Sequence, residues 1–307
     1  MNKVFYLGIT LLLLSYFQYF FDENSVNLTI LVIAWSMFML GVSFVCEGIT
    51  HKFKGISLLK VLFMNRKNLF SYVIVSTFGA ILLEAYAQWL GKLWIYPYLN
   101  TFIYFLVFVL GFALYWLMIV ETYIAAKVLL DHIYKGRHYV TKPYKFERIL
   151  YYVLASVGIA LIMFGTVSLI SDYQNYGGYS FSINEITDYK VNFLYILSTF
   201  IGVVFVLELF EYTQHKTSFI KDLLHEYPIP FYSILIAFSV TALIMETENI
   251  PHHFWIYINW PYENIKFLGL PVSMFLAWPL HYLGFLSLFR AFTKEDSQEI
   301  WRGDLIK

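Results

Sequence analysis

The sequence predicts an all-α membrane protein, a polytopic helix bundle with about eight transmembrane helices arranged as two parallel four-helix repeats. The first observation is composition. Of 307 residues, 59% are hydrophobic and 14% are charged, whereas soluble proteins carry about 25% charged residues. The second is a set of apolar runs, each near the ~20 residues that cross a bilayer core of about 30 Å. The third is a sequence pattern that occurs twice.

The apolar runs give the individual helices. Short polar links separate them and leave no room for a soluble domain. We interpret the first run as a retained span, because no small-residue cleavage site follows it. The eight candidate spans are 3–21, 27–48, 69–91, 101–129, 148–170, 191–212, 229–249 and 268–290.

Positive charge sets the orientation. Segments 49–68 and 131–148 carry five Lys or Arg residues each, and the intervening connections carry few. By the positive-inside rule these segments face the cytoplasm, which predicts a multi-pass protein of the cell membrane with both termini cytoplasmic. Lys and Arg total 21, as do Asp and Glu, so net charge predicts no nucleic-acid partner. The one cysteine, Cys46, excludes an intrachain disulfide.

The duplicated pattern is an acid followed by a Trp-Ile-Tyr loop. Glu84 precedes Trp94–Tyr96, and Glu246 precedes Trp255–Tyr257. Further matches pair Glu47 with Glu211, His51 with His215 and Glu121 with His281, at separations of 160 to 164 residues. Parallel repeats often place a site at their interface. The predicted units are a first repeat at 1–131, a cytoplasmic loop, fifth helix and extracytoplasmic join at 132–190, the rest of the second repeat at 191–292, and a cytoplasmic tail at 293–307.

Acids within membrane helices indicate function, because each costs about 2.5–3.5 kcal/mol at the bilayer centre. We interpret Glu84 and Glu246 as a facing acid/base pair, with Glu121 and His281 as supporting groups. The alternative makes the outer acids structural partners of neighbouring loops, and His281 a hydrogen-bonded core residue. For the inner acids and histidines an ion-pair or interfacial role is favoured; these are Glu47, Glu121, Glu208, Glu211, His51 and His215.

Aromatic residues make up 21% of the chain. Such rings pack well in lipid and at its interfaces, and they also attract cations through their faces. The candidate substrate-binding residues are Trp94, Tyr96, Trp255, Tyr257 and Trp278.

Several catalytic motifs are missing from the sequence. It contains no HExxH, no histidine boxes of a di-iron desaturase, no phosphate-binding Gly loop, no GxSxG elbow and no DDxxD. We therefore expect no metal and no cofactor. The function classes that remain are catalysis by protonation, ligand binding and transport.

The second half resembles the membrane carotenoid-cyclase-like family, which includes heterodimeric lycopene cyclase domains and C50 carotenoid hydratases. The resemblance is carried by Glu246, the Trp255–Tyr257 loop, Gly-Leu-Pro-Val at 269–272 and Ala-Trp-Pro-Leu at 277–280. It covers roughly residues 240–285, with a fainter copy at 78–125. The Pro-x-Glu-Glu motif of lycopene cyclases is lacking, since Val272, Ser273 and Met274 follow Pro271, so the hydratases fit better. The resemblance implies acid/base chemistry on a polyene or isoprenoid without a redox cofactor.

The leading hypothesis is therefore an integral membrane enzyme that hydrates, cyclises or isomerises an isoprenoid or carotenoid-like lipid through buried carboxylates. The expected partners are the lipid bilayer and an apolar isoprenoid-like substrate, with homo- or hetero-oligomers as an open alternative. Two other functions stay open at this point: a membrane transporter or lipid-handling protein, and a non-catalytic membrane subunit.

Overall fold

The computed structural model describes residues 3–21, 28–55, 58–134, 144–175 and 190–292. The predicted tail at 293–307 lies outside the described residues. So do 135–143 and 176–189, which hold much of the predicted loop and join within 132–190.

Ten α-helices and four short strands form the described part. A π-helical turn, Glu84–Leu90, continues the fourth helix. The helices are α1 Lys3–Phe21, α2 Leu28–Lys54, α3 Leu58–Met64, α4 Arg66–Leu83, α5 Thr101–Ile133, α6 Glu147–Asn175, α7 Phe193–His215, α8 Phe219–Leu224, α9 Ile229–His252 and α10 Met274–Phe292. The strands are β1 Trp94–Ile95, β2 Ile256–Tyr257, β3 Lys266–Phe267 and β4 Leu270–Pro271.

The prediction of a multi-pass helical protein is confirmed. Each of the eight apolar runs coincides with a helix. Within the described residues, six helices are long and apolar enough to cross a membrane: Leu28–Lys54, Arg66–Leu90, Gly111–Ile133, Glu147–Asn175, Phe193–His215 and Ile229–Thr247. Helices α1 and α10 are not among these six.

Two boundaries differ from the sequence prediction. The last helix was expected to begin at residue 268 but begins at Met274. Leu268 and Gly269 have φ values of 52° and 81°, left-handed conformations that end regular structure and form the turn between β3 and β4. The segment expected as a loop at 49–68 instead contains the end of α2 and all of α3.

Side-chain caps fix several helix starts. Asn100 accepts a hydrogen bond from the Ile103 N–H at 2.9 Å, which caps α5. Asn192 accepts from the Leu194 N–H at 3.1 Å and caps α7. Each amide oxygen satisfies a backbone donor that has no partner within the helix. These caps determine where α5 and α7 begin.

The central helices α4, α5, α9 and α10 enclose the core. Trp116 on α5 stacks on Phe285 of α10 at a ring-centroid distance of 3.4 Å, and its indole N–H donates to the Ser76 carbonyl of α4 at 3.1 Å. The α1–α2 pair packs beside α5, and the α6–α7 pair packs beside α10. Residues 3–133 contain two long helices, a short helix, a long helix, a strand and a long helix. Residues 147–292 have the same order of helices, with the three strands β2, β3 and β4 before the last one.

Glycines allow α6 and α7 to approach closely. A Cβ added to Gly202 would lie 2.5 Å from the carbonyl oxygen of Gly158, and one added to Gly158 would lie 2.7 Å from the carbonyl oxygen of Gly202. Since these contacts are with backbone, no side chain can move to relieve them. Small residues at helix crossings are how membrane helices reach close backbone contact.

We expect Gly202→Ala to destabilise the protein by about 1–3 kcal/mol, the usual cost of overpacking. The measurement is unfolding in mild detergent, followed by circular dichroism. Gly284→Ala is the matched control, because its added Cβ would meet Val204 Cγ2 at an ordinary 3.6 Å. Equal stability of the two variants would contradict the tight crossing.

Candidate functional site

The two Trp-Ile-Tyr loops meet in an antiparallel strand pair. Trp94 pairs with Tyr257, and Ile95 pairs with Ile256. The contact continues beyond the strands, since the Trp260 indole N–H donates to the Leu93 carbonyl at 2.7 Å. The duplicated loops, 161 residues apart in the chain, therefore form one structure.

Glu84 lies at the centre of a hydrogen-bonded aromatic network. Tyr96 donates to Glu84 Oε1 at 2.7 Å, and Tyr104 donates to Oε2 at 2.8 Å. Each tyrosine hydroxyl also accepts a hydrogen bond from an indole. Trp94 donates to the Tyr96 hydroxyl at 3.0 Å, and Trp89 donates to the Tyr104 hydroxyl at 2.9 Å. Glu84 is fully buried, so this network fixes the carboxylate in one orientation.

Glu246 is held by the equivalent loop of the second half. The Tyr257 hydroxyl donates to its Oε1 in a short hydrogen bond, and Asn249 donates to its Oε2 at 3.4 Å. Asn249 also bridges the backbone N–H and carbonyl of Trp255, at 3.1 and 3.0 Å. Glu246 is 2% exposed. Each outer acid therefore forms hydrogen bonds with its own loop, as the structural alternative predicts. Both acids are shielded from bulk solvent.

The hydroxyls of Tyr96 and Tyr257 donate hydrogen bonds to the two buried acids. Burial raises the pKa of Tyr96 and of Tyr257 well above the usual tyrosine value, and the adjacent Glu84 and Glu246 carboxylates raise each pKa further. Both hydroxyls are therefore protonated in the resting site. They hold the carboxylates without adding charge.

A cavity of about 490 Å³ lies beside this network. Apolar and aromatic side chains form most of its wall, as in sites for small apolar ligands. Glu84 and His281 line it, together with all five aromatic residues predicted from sequence: Trp94, Tyr96, Trp255, Tyr257 and Trp278. Glu246 is not among the lining residues and approaches the cavity through Tyr257.

The cavity is elongated and reaches the side of the bundle. It is lined by Tyr104 and Tyr115 of α5, which are about 16 Å apart along a helix at 1.5 Å per residue. Leu106 also lines the cavity and is 52% exposed. The cavity wall therefore reaches the outer surface of the bundle at Leu106 on α5.

His281 occupies the inner end of the cavity. Its Nε2 lies 3.2 Å from the Tyr115 hydroxyl, and its ring lies 4.8 Å from that of Trp116. It lies nearer the core than Glu84 does, so it could orient a ligand at the opposite end.

Glu121 lies away from this cavity. It is 17 residues beyond Tyr104 on α5, about 25 Å along the helix, and its carboxyl group contacts Glu47 of α2. The structure therefore does not bring Glu121 together with the other three predicted catalytic residues.

Two of the inner acids bind the short helices. Glu47 accepts from the Leu58 N–H at 3.0 Å, at the start of α3. Glu208 accepts from the Phe219 and Ile220 N–H groups at 3.3 and 2.8 Å, at the start of α8. A carboxylate at a helix N-terminus satisfies free backbone donors and the helix dipole. By these contacts Glu47 corresponds to Glu208, whereas the sequence comparison matched it with Glu211.

Glu211 belongs to a buried ion cluster. Arg290 binds it through Nε at 2.9 Å and through a terminal nitrogen at 2.8 Å, and reaches Asp222 at 3.4 Å. The guanidinium also lies over the Phe219 ring at 3.8 Å. The expectation of an ion pair at the inner acids is met here by Arg290.

Sequence reasoning missed some residues of the site. Tyr104, Trp89, Trp35, Phe254 and Tyr115 all lie at the acids or the cavity. Tyr104 follows Glu84 by 20 residues with no periodic relation, so no local pattern marked it. Trp94 and Tyr96, by contrast, belong to a short pattern that recurs in the sequence, so they could be predicted.

In the part of the chain that the structure describes, no group of three or more His, Cys, Asp or Glu side chains is placed to hold a metal ion. The chain matches no known family of proteins, no curated protein and no solved structure.

Proposed function

We propose that this chain is an integral membrane enzyme that performs acid/base chemistry on an isoprenoid or carotenoid-like lipid, by hydration, cyclisation or isomerisation. The observation that carries the proposal is the aromatic cavity with the Glu84 carboxylate in its wall. A polyene needs such an apolar chamber. Protonation of its C=C bond needs a buried acid, and the cation formed needs electron-rich rings close by.

Glu84 fits the role of the base. Each of its oxygens accepts a tyrosine hydroxyl bond, an arrangement suited to an ionised carboxylate, which only accepts. In this role it removes a proton from the substrate cation or orients a water molecule towards it. The faces of Trp94 and Trp278 line the same cavity and would stabilise the cation by about 2 kcal/mol or more in a water-poor site.

Glu246 fits the role of the proton source. Its carboxyl group is bonded to the Tyr257 hydroxyl, and Tyr257 lines the cavity. In the proposed step Glu246 is first protonated, and the Tyr257 hydroxyl then turns from Glu246 to the substrate. It passes its proton to the alkene carbon and takes the Glu246 proton, so the phenol is restored and the carboxylate remains. His281 is placed to orient the far end of the substrate.

The proposal includes an architecture. Eight spans form two parallel four-helix repeats, and both termini face the cytoplasm of a cell membrane. The repeat is supported by the strand register, in which Ile95 pairs with its own sequence counterpart Ile256. It is supported also by the Glu47 and Glu208 contacts, each to a backbone N–H 11 residues later. Residues 1–131 and the span from about 148 to 292 would be the two repeats.

The test is the lipid composition of cells that produce the protein. In a host supplied with acyclic isoprenoid and carotenoid precursors, we expect the wild-type chain to create a hydrated, cyclised or isomerised product. Glu246→Gln should reduce that product to the level of the empty host, because an amide cannot supply the proton. Extracts are compared by liquid chromatography and mass spectrometry.

Glu226→Gln is the matched control, since Glu226 is an exposed acid in the turn between α8 and α9. It should leave the product level unchanged. Identical lipid profiles for wild type, Glu246→Gln and the empty host would overturn the proposed function.

A further inference from the structure

The contact between Glu121 and Glu47 has no role in the chemistry proposed above. Glu121 is fully buried and Glu47 is 2% exposed. Apart from its contact with Glu47, neither carboxyl oxygen of Glu121 has a hydrogen-bond partner in the described structure. A buried polar group without a partner is costly, and a buried charge is more costly still.

Among the contacts described for Glu121 and Glu47, none is with a cation. The titratable groups described against Glu121 are Glu47 from α2, the Cys46 thiol from α2 and the Tyr72 hydroxyl from α4. Each of these is an acid or a neutral group. Lys127, the next cation along α5, is bound to Asp131 at 3.2 Å.

In the second half of the chain a buried acid is paired with a cation. There the buried Glu211 is bound by Arg290. The position 161 residues before Arg290 is Leu129, which carries no charge. The first half therefore holds two buried acids where the second half has acids together with an arginine.

We propose that Glu121 and Glu47 form a binding site for one proton, which sits on Glu121 and is donated in a hydrogen bond to Glu47. A hydrogen bond between two carboxyl groups requires such a proton, because an ionised carboxylate only accepts. Glu47 is the accepting partner because it already receives the Leu58 N–H at 3.0 Å. The proton removes one of the two negative charges from the pair.

Proton-binding carboxyls within membrane helices are characteristic of proton relays and of coupled transport. Cys46 Sγ lies 3.7 Å from the Thr122 hydroxyl, so the groups next to the pair are small and weakly polar. The site would let the chain take up and release a proton about 25 Å along α5 from the Tyr104 end of the cavity. It does not depend on the reaction proposed for Glu84 and Glu246.

The site can be tested with dicyclohexylcarbodiimide, an apolar reagent that reacts with protonated carboxyl groups. The carboxyl oxygen adds to the carbodiimide carbon while the acid proton moves to a nitrogen, so the adduct keeps every atom of both reactants. The full chain in nanodiscs is treated at neutral pH, digested and mapped by mass spectrometry. We expect label on Glu121 at a rate at least about ten-fold above that of Glu211, which Arg290 binds in an ion pair at 2.8 Å.

Glu121→Gln should abolish the label, and its amide can still donate to Glu47, so the fold should be retained. Infrared spectroscopy gives a second readout on the wild-type protein alone. It should contain the carbonyl band of a protonated acid that shifts in D₂O, and Glu121→Gln should lose that band.

Absence of both the label and the band from folded wild-type protein would overturn the proposal. Complete protection of Glu121 by NaCl, with no protection by choline chloride, would also overturn it in favour of a bound sodium ion. Neither result bears on the lipid profile of Glu246→Gln, so failure of this site and failure of the proposed enzyme are distinguishable.

Discussion

Glu84→Gln is expected to lower the rate of product formation by about 10²- to 10⁴-fold, the range typical of a lost acid/base group. The substitution keeps size and shape. It replaces one accepting oxygen by an NH₂ group, which can only donate and therefore opposes the hydroxyl of Tyr96 or Tyr104. The rate is measured on purified protein in nanodiscs with the substrate identified from the lipid extracts.

Tyr104→Phe serves as the graded comparison. It removes one of the two hydroxyl bonds to Glu84 but leaves the carboxylate, so we expect a smaller loss than with Glu84→Gln. Glu226→Gln should keep the wild-type rate. If Glu84→Gln is correctly folded and as active as Glu226→Gln, the carboxylate in the cavity wall has no part in the chemistry.

Arg290→Ala is expected to destabilise the protein by about 3–5 kcal/mol, the usual cost of removing one partner from a buried ion pair. Glu211 and Asp222 would lose their shared cation, since Arg290 lies within 2.8 Å of the first and 3.4 Å of the second. The guanidinium contact with the Phe219 ring, at 3.8 Å, would be lost as well. Stability is measured by unfolding in mixed detergent micelles of increasing denaturing-detergent content.

Arg148→Ala is the control for loss of positive charge, because Arg148 is exposed and lies over the exposed ring of Tyr152. We expect it to change stability by no more than about 0.5 kcal/mol. A similar small effect for Arg290→Ala would mean that the buried acids are neutralised in some other way.

The helices could be predicted from the sequence because the membrane imposes a length and a composition on them. The outer site could be predicted in part for another reason. Glu84 and Tyr96 recur as Glu246 and Tyr257, and such a duplicated local pattern needs no knowledge of packing. Trp94 and Trp255, which occupy the same place in the two copies of the pattern, line one cavity.

The remaining contacts depend on tertiary packing. The sequence predicted Glu121 as a supporting group for the outer acids, because nothing local reveals that α2 brings Glu47 against it. Arg290 likewise reaches Glu211 from a distance of 79 residues in the chain. The β3–β4 turn was missed because Leu268, an ordinary helix former, adopts a left-handed conformation there.

The π-helical turn at Glu84–Leu90 explains how the two acids reach equivalent tyrosines over different lengths of chain. Glu84 is 12 residues from its tyrosine partner, whereas Glu246 is 11 residues from its own. A π-helical turn has i→i+5 hydrogen bonds and so holds more residues than an α-helical turn. The widened turn thus accommodates the extra residue between Glu84 and Tyr96 without ending the helix, and Tyr96 reaches its carboxylate as Tyr257 does.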